Sequence, residues 1–168
     1  MSDTTRIEGA STHAPRFEVD AMLIKLARYL RCLGYDAQWG ASESLASRIE
    51  RADAEERVFL TRNHNVGHQQ RRPKSVVFVR GDDPVEQVRQ LIDELHLDPR
   101  PRMFTRCIRC NVRLTKLPKD QALAARVPER TFASYAHFYT CPSCGTVFWK
   151  GSHVRNTCRK LRLPDASE

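Results

Sequence analysis

No run of apolar residues in this chain is long enough to cross a bilayer, so no membrane-spanning helix is expected. The first fifteen residues, MSDTTRIEGASTHAP, lack the basic stretch and apolar core of a secretory leader, and the reading is a soluble, unsecreted, cytoplasmic protein. Internal repeats and low-complexity tracts are missing too, which leaves an ordinary globular class. Acidic residues are in deficit: 20 Asp and Glu face 28 Lys and Arg among 168 residues, a formal charge of +8. In a soluble protein such an excess points to a polyanionic partner, nucleic acid first.

Residues 1–15 and the end from Leu163 are polar and poor in apolar content, so both ends are expected to fray. Arg16 to Asp20 alternates as a strand does, and Met22, Leu23, Leu26, Ala27, Leu30 and Leu33 then recur at helical spacing until Gly34 provides a stop. Tyr35–Trp39 reads as a short strand. Leu45, Ile49 and Ala52 give one face of a second helix, and Arg57–Thr61 and Ser75–Val79 are further apolar, β-branched strands. Asp83 can cap a helix with Pro84 at its first position and Glu86 at its third, its buried stripe being Val85, Val88, Leu91, Ile92 and Leu95. Strands alternating with helices predict an α/β unit with a mostly parallel sheet over 16–98. Asp98–Arg102 breaks the pattern and reads as a linker. A second module over 103–155 contains a helix-prone stretch from Lys119 to Arg126, and a basic segment and tail occupy 156–168.

Six cysteines in a small chain can mean a disulfide scaffold, but four of them form two Cys-x-x-Cys pairs in a chain without an export signal, which favours metal. Cys107, Cys110, Cys141 and Cys144 can each present a thiolate from a tight turn to one tetrahedral ion, and a structural zinc is expected there. Gly145 permits the positive φ such a knuckle often needs. The segment has few large apolar residues, so metal binding would contribute much of its folding free energy. A redox pair or two disulfides fit two matched pairs less well. His137 and His153 lie nearby, but four thiolates complete the shell. Cys32 reads as a small core residue, and no role is assigned to Cys158.

Several blocks in order, Phe17-Glu-Val-Asp20-Ala-Met22-Leu23 through Lys25-Leu26-Ala27-Arg28 to Leu33-Gly34-Tyr35-Asp36, then Leu60-Thr61-Arg62, then Arg106-Cys107 to Leu114, then Cys141-Pro to Trp149 and Gly151-Ser152-His153, resemble the Mut7-C family. The resemblance spans about residues 16 to 155. It implies a PIN-like ribonuclease domain, a three-layer parallel sheet, followed by a zinc ribbon. It also implies clustered carboxylates at the C-terminal edge of the sheet that hold Mg²⁺ or Mn²⁺, hard cations that prefer oxygen and can activate water against a phosphodiester. Asp20 matches the first acidic position. Where the family typically reads Thr-Arg-Asp, this chain reads Thr61-Arg62-Asn63, and Asn brings no negative charge. Glu43 is the candidate for the second acid and Asp82 a further one, whereas Asp83 is better explained as a helix cap.

Each candidate also has a plainer reading: Asp20 as a cap and Glu43 as a solvated helix-start charge. Lys25, Arg28 and Arg31 follow helical spacing and serve either as phosphate binders near Asp20 or as a solvated face. Arg62 and the loop Gln69–Lys74, with Arg71 and Arg72, are further RNA-binding candidates, and His64 and His68 are possible acid–base groups. Two functions follow: a metal-dependent ribonuclease, weakened at Asn63, or a non-catalytic RNA-binding or ribosome-associated protein that lost its metal cluster. The candidate partners are RNA, as tRNA, rRNA or the ribosome, and no membrane. A protein-binding zinc-ribbon adaptor is a third reading, which the basic balance disfavours.

Overall fold

A computed structural model describes residues 14–40, 42–68, 72–124 and 127–163. The chain divides into two compact units, one formed by residues up to 31 with 35–98, the other by 32–34 with residues from 99 onward.

In the first unit, strands β1 (Arg16–Val19), β2 (Asp36–Gln38), β3 (Val58–Thr61) and β4 (Val76–Phe78) form one parallel sheet in the order β2-β1-β3-β4. A 3-10 turn, Ala21–Leu23, leads from β1 into α1 (Ile24–Cys32); α2 (Leu45–Ala54) joins β2 to β3; α3 (Pro84–Glu94) follows β4. The chain moves from β1 outward to β2, then back across β1 to β3. Because parallel crossovers are right-handed, α1 and α2 fall on opposite faces, giving a three-layer arrangement.

The side-chain alternation agrees. Phe59 packs with Ile49, Ala52 and Val66 on the α2 face, while Val58 and Leu60, one residue away on either side, point to the other face. Glu18 is paired with Phe59, so it also turns toward α2. On α1, Leu26, Ala27 and Leu30 are buried, as their spacing predicts. Asp83 caps α3 by accepting from Val85 N at 2.9 Å, with Pro84 at the first position, as read from the sequence.

In the second unit, β5 (Thr115–Leu117), α4 (Lys119–Ala124), α5 (Glu129–Ser134), β6 (Phe138–Thr140), β7 (Val147–Phe148) and α6 (Ser152–Leu161) follow in order. The strands form an antiparallel sheet, β5-β6-β7. A small core of Ala122, Val127 and Phe138, covered by Leu117, Phe132 and Trp149, holds its helices to the sheet. α6 buries Val154, Cys158 and Leu161, and so continues through 155 into the segment read as a basic tail. Gly34 belongs to this unit and has φ +86; a Cβ there would stand 1.8 Å from the Arg102 carbonyl oxygen, so only glycine fits. The Cys32 thiol is pushed up to about 12 by burial first and by the neighbouring Cys158 second, which makes it a packing residue and a poor nucleophile.

Candidate functional site

Two constellations stand out, one in each unit. In the second unit the two Cys-x-x-Cys turns are built alike. In the first, Asn111 N donates to Cys107 O at 2.9 Å and Cys107 N to Val112 O at 2.9 Å; in the other, Gly145 N donates to Cys141 O at 2.8 Å and Cys141 N to Thr146 O at 3.0 Å. The residue after the second cysteine is left-handed in both, Asn111 at φ +64 and Gly145 at φ +70. Glycine and asparagine are the residues that tolerate this conformation most readily. The positive φ expected at Gly145 is present, and Asn111 is its counterpart.

These turns aim four sulfurs at one point. Thiolates about 2.3 Å from a tetrahedral zinc lie about 3.8 Å from each other. Cys107 Sγ and Cys144 Sγ are 3.8 Å apart, and all four sulfurs lie within 4.8 Å of one another. The donor set therefore fits a metal ion, and its all-sulfur chemistry is consistent with structural zinc. Burial pushes the Cys107 thiol up to about 12, whereas the Thr146 hydroxyl, 3.2 Å from Cys144 Sγ, brings that thiol down to about 6. A bound cation overrides such differences by deprotonating its thiols outright.

In the first unit the order β2-β1-β3-β4 reverses direction between β1 and β3, the place where open α/β sheets bind ligands beyond their strand C-termini. Asp20 follows β1 at this point and Thr61 ends β3 beside it. The Asp20 carboxylate is nearly enclosed: Oδ1 accepts from Ala21 N at 2.8 Å and from Arg48 Nη1 at 3.0 Å, and Oδ2 accepts from the Thr61 hydroxyl at 2.7 Å. That hydroxyl in turn accepts from Asn63 N at 3.0 Å. Asp20 thus caps the turn after β1 and also joins two strand ends.

The other candidates are placed as follows. Asn63 Oδ1 accepts from Asn65 N at 3.0 Å, an Asx turn that starts the 3-10 turn His64–His68. Glu43 is exposed and bonds Arg51, while Ser44 caps α2. Asp82 is exposed and pairs with Arg62. Lys25, Arg28 and Arg72 are exposed. Arg31 is turned inward rather than lying on the polar face expected for it: its Nε donates to Ala37 O at 2.7 Å and its guanidinium stacks 3.6 Å from the Trp39 ring centre. A planar cation can lose water when an aromatic face and a carbonyl replace it. His64 stacks on Phe78. Arg71 lies outside the described residues, as does the side chain of His68.

Sequence reasoning missed the basic side of this site. Glu18 is fully buried and receives Arg51 Nη2 at 2.8 Å and Nε at 3.1 Å. Burial raises its pKa, and the Arg51 hydrogen bond and charge oppose that rise. Arg48 and Arg51 lie one turn apart on α2. Arg48 sits beside Ile49 and Ala52 on a helix face otherwise apolar, which was the available signal.

A hard divalent cation needs about six oxygen ligands. Here the carboxylates of Asp20, Glu18, Glu43 and Asp82 are bonded to arginines, and among the described residues only the cysteine quartet brings three or more metal-ligating side chains together. As folded, the acidic side chains do not fit Mg²⁺ or Mn²⁺.

Comparison with curated proteins and with solved structures finds no match. The Mut7-C RNAse domain family matches residues 15–161, and with most of its length inside that match the chain belongs to the Mut7-C RNAse domain family.

Proposed function

We propose that this protein acts on RNA as a ribonuclease-type enzyme, hydrolysing phosphodiesters at the C-terminal edge of its parallel sheet. The match to an RNAse domain over residues 15–161 carries the reading. The position of Asp20 at the topological switch point supports it. In this reading residues 16–98 act on RNA, with Asp20 central and Glu43, Asn63 and Asp82 around it. Lys25, Arg28, Arg62 and Arg72 contact phosphate, and Arg31 holds Trp39 in place. The Thr61 hydroxyl orients the Asp20 carboxylate. Residues 103–155 are a zinc ribbon whose Arg109, Arg113 and Lys116 add basic surface beside the first knuckle. A reducing cytoplasm would keep its thiols available to metal.

A second reading, a non-catalytic RNA-binding protein, is favoured by one observation: Asn63 stands uncharged at the family's acidic position and its oxygen is committed to a turn. Labelled single-stranded and structured RNA, incubated with the metal-loaded protein in Mg²⁺ or Mn²⁺, separates the two. Cleavage that Asp20→Asn abolishes supports the enzyme. Salt-sensitive binding without cleavage assigns the binder.

A further inference from the structure

We propose that Arg48 is the resident cation of Asp20, a guanidinium held where the fold would otherwise present this carboxylate to a divalent ion, and that it keeps such ions out. This rests on the reading of Asp20 as the centre of the site. Four observations carry it. Arg48 is only 7% exposed, and among the described residues its hydrogen-bond partner is Asp20 Oδ1 at 3.0 Å. Its Nε is buried without a hydrogen-bond partner among the described residues, so the carboxylate holds the group more than any network of its own. Its guanidinium carbon lies 5.7 Å from the Phe59 ring centre, a face that replaces part of its lost hydration. Finally, three donors already engage the Asp20 carboxylate: Ala21 N and Arg48 on Oδ1, and the Thr61 hydroxyl on Oδ2.

A monovalent planar cation and a hydrated divalent one compete for the same carboxylate, and only one can be in contact with it. Opposite charges in contact in a water-poor site interact far more strongly than in bulk water. Removing the arginine therefore returns to Asp20 its affinity for a small hard cation. Arg51 repeats the device one turn later, bridging Glu18 and Glu43.

The test is Mn²⁺ binding by electron paramagnetic resonance, on the full chain with its cysteine site loaded and no RNA present. Arg48→Met should bind Mn²⁺ at least about tenfold more tightly than the unaltered protein, the order expected on removing a unit charge in contact with the ligand. Asp20→Asn in the same background should abolish the gain. Arg48→Gln, which keeps a donor toward Asp20, serves if the methionine variant does not fold. Folded variants that bind Mn²⁺ no more tightly than the parent overturn the proposal. The unaltered chain gives an independent check by nuclear magnetic resonance: micromolar Mn²⁺ should leave the amide signals of Asp20 and Thr61 sharp, and their selective broadening would overturn it. None of these readouts involves cleavage. An Mn²⁺ gain in a protein that never cuts RNA leaves the inference standing and sinks the ribonuclease reading, and the converse result does the opposite.

Discussion

Replacing Arg51 with methionine removes the partner of a carboxylate that water does not reach. Glu18 is fully buried, and Arg51, 19% exposed in its side chain, meets it through two nitrogens at 2.8 and 3.1 Å. Deleting one member of a buried pair costs about 3–5 kcal/mol. Protonation limits the loss. A carboxyl group of ordinary value 4.5 can be neutralised at pH 7 for about 3.4 kcal/mol, at 1.36 kcal/mol per unit, so the charge part of the deficit cannot exceed that figure. We expect about 3 kcal/mol at pH 7, the exposed Arg51–Glu43 pair adding little. The sign follows from the raised folded pKa of Glu18. A carboxyl shifted upward holds more protons folded than unfolded between 4.5 and its folded value, so it loses stability as pH rises through that window. Without Arg51 the folded value climbs further, and the deficit should shrink to under about 1 kcal/mol by pH 5. Urea denaturation followed by circular dichroism at pH 5, 6 and 7 measures this. Adding Glu18→Gln should recover most of the loss at pH 7. A deficit that does not change with pH, or stays below about 1 kcal/mol at pH 7, would refute the reasoning.

Elemental analysis of freshly reduced protein should find about one zinc per chain; Cys110→Ser should lose it and unfold the second unit while leaving the parallel sheet. Gly34→Ala should cost about 3 kcal/mol or more, from the left-handed backbone and the collision with the Arg102 carbonyl, and a loss under about 1 kcal/mol in denaturant titration would contradict that contact. RNA affinity should fall with salt, with a slope of about −3 in logarithmic units if Lys25, Arg28, Arg62 and Arg72 each meet one phosphate; binding that salt leaves unchanged would argue against this surface.

Local signals were read correctly from the sequence because their physics is local. Asp83-Pro84 sets a helix start and Gly34 a stop within a few residues, and each Cys-x-x-Cys turn needs only itself to position its sulfurs. Asn111 could have been read the same way, since it holds the place in the first knuckle that Gly145 holds in the second. Glu18–Arg51 and Asp20–Arg48 were not visible, because 33 and 28 residues separate the partners and only the packing of α2 against β1 and β3 brings them together. Arg31 illustrates the remaining difficulty. Helical spacing put it with Lys25 and Arg28, but whether a guanidinium faces water or an indole depends on Trp39 arriving from the next strand.

In the proposed function RNA lies at the edge formed by the ends of β1 and β3, and titration of RNA into isotope-labelled protein, followed by nuclear magnetic resonance, tests that placement most directly. The amide signals of Asp20, Lys25, Arg28, Thr61 and Arg62 should move together and saturate at one RNA concentration. Shifts confined to the second unit, with the edge around Asp20 silent, would contradict it.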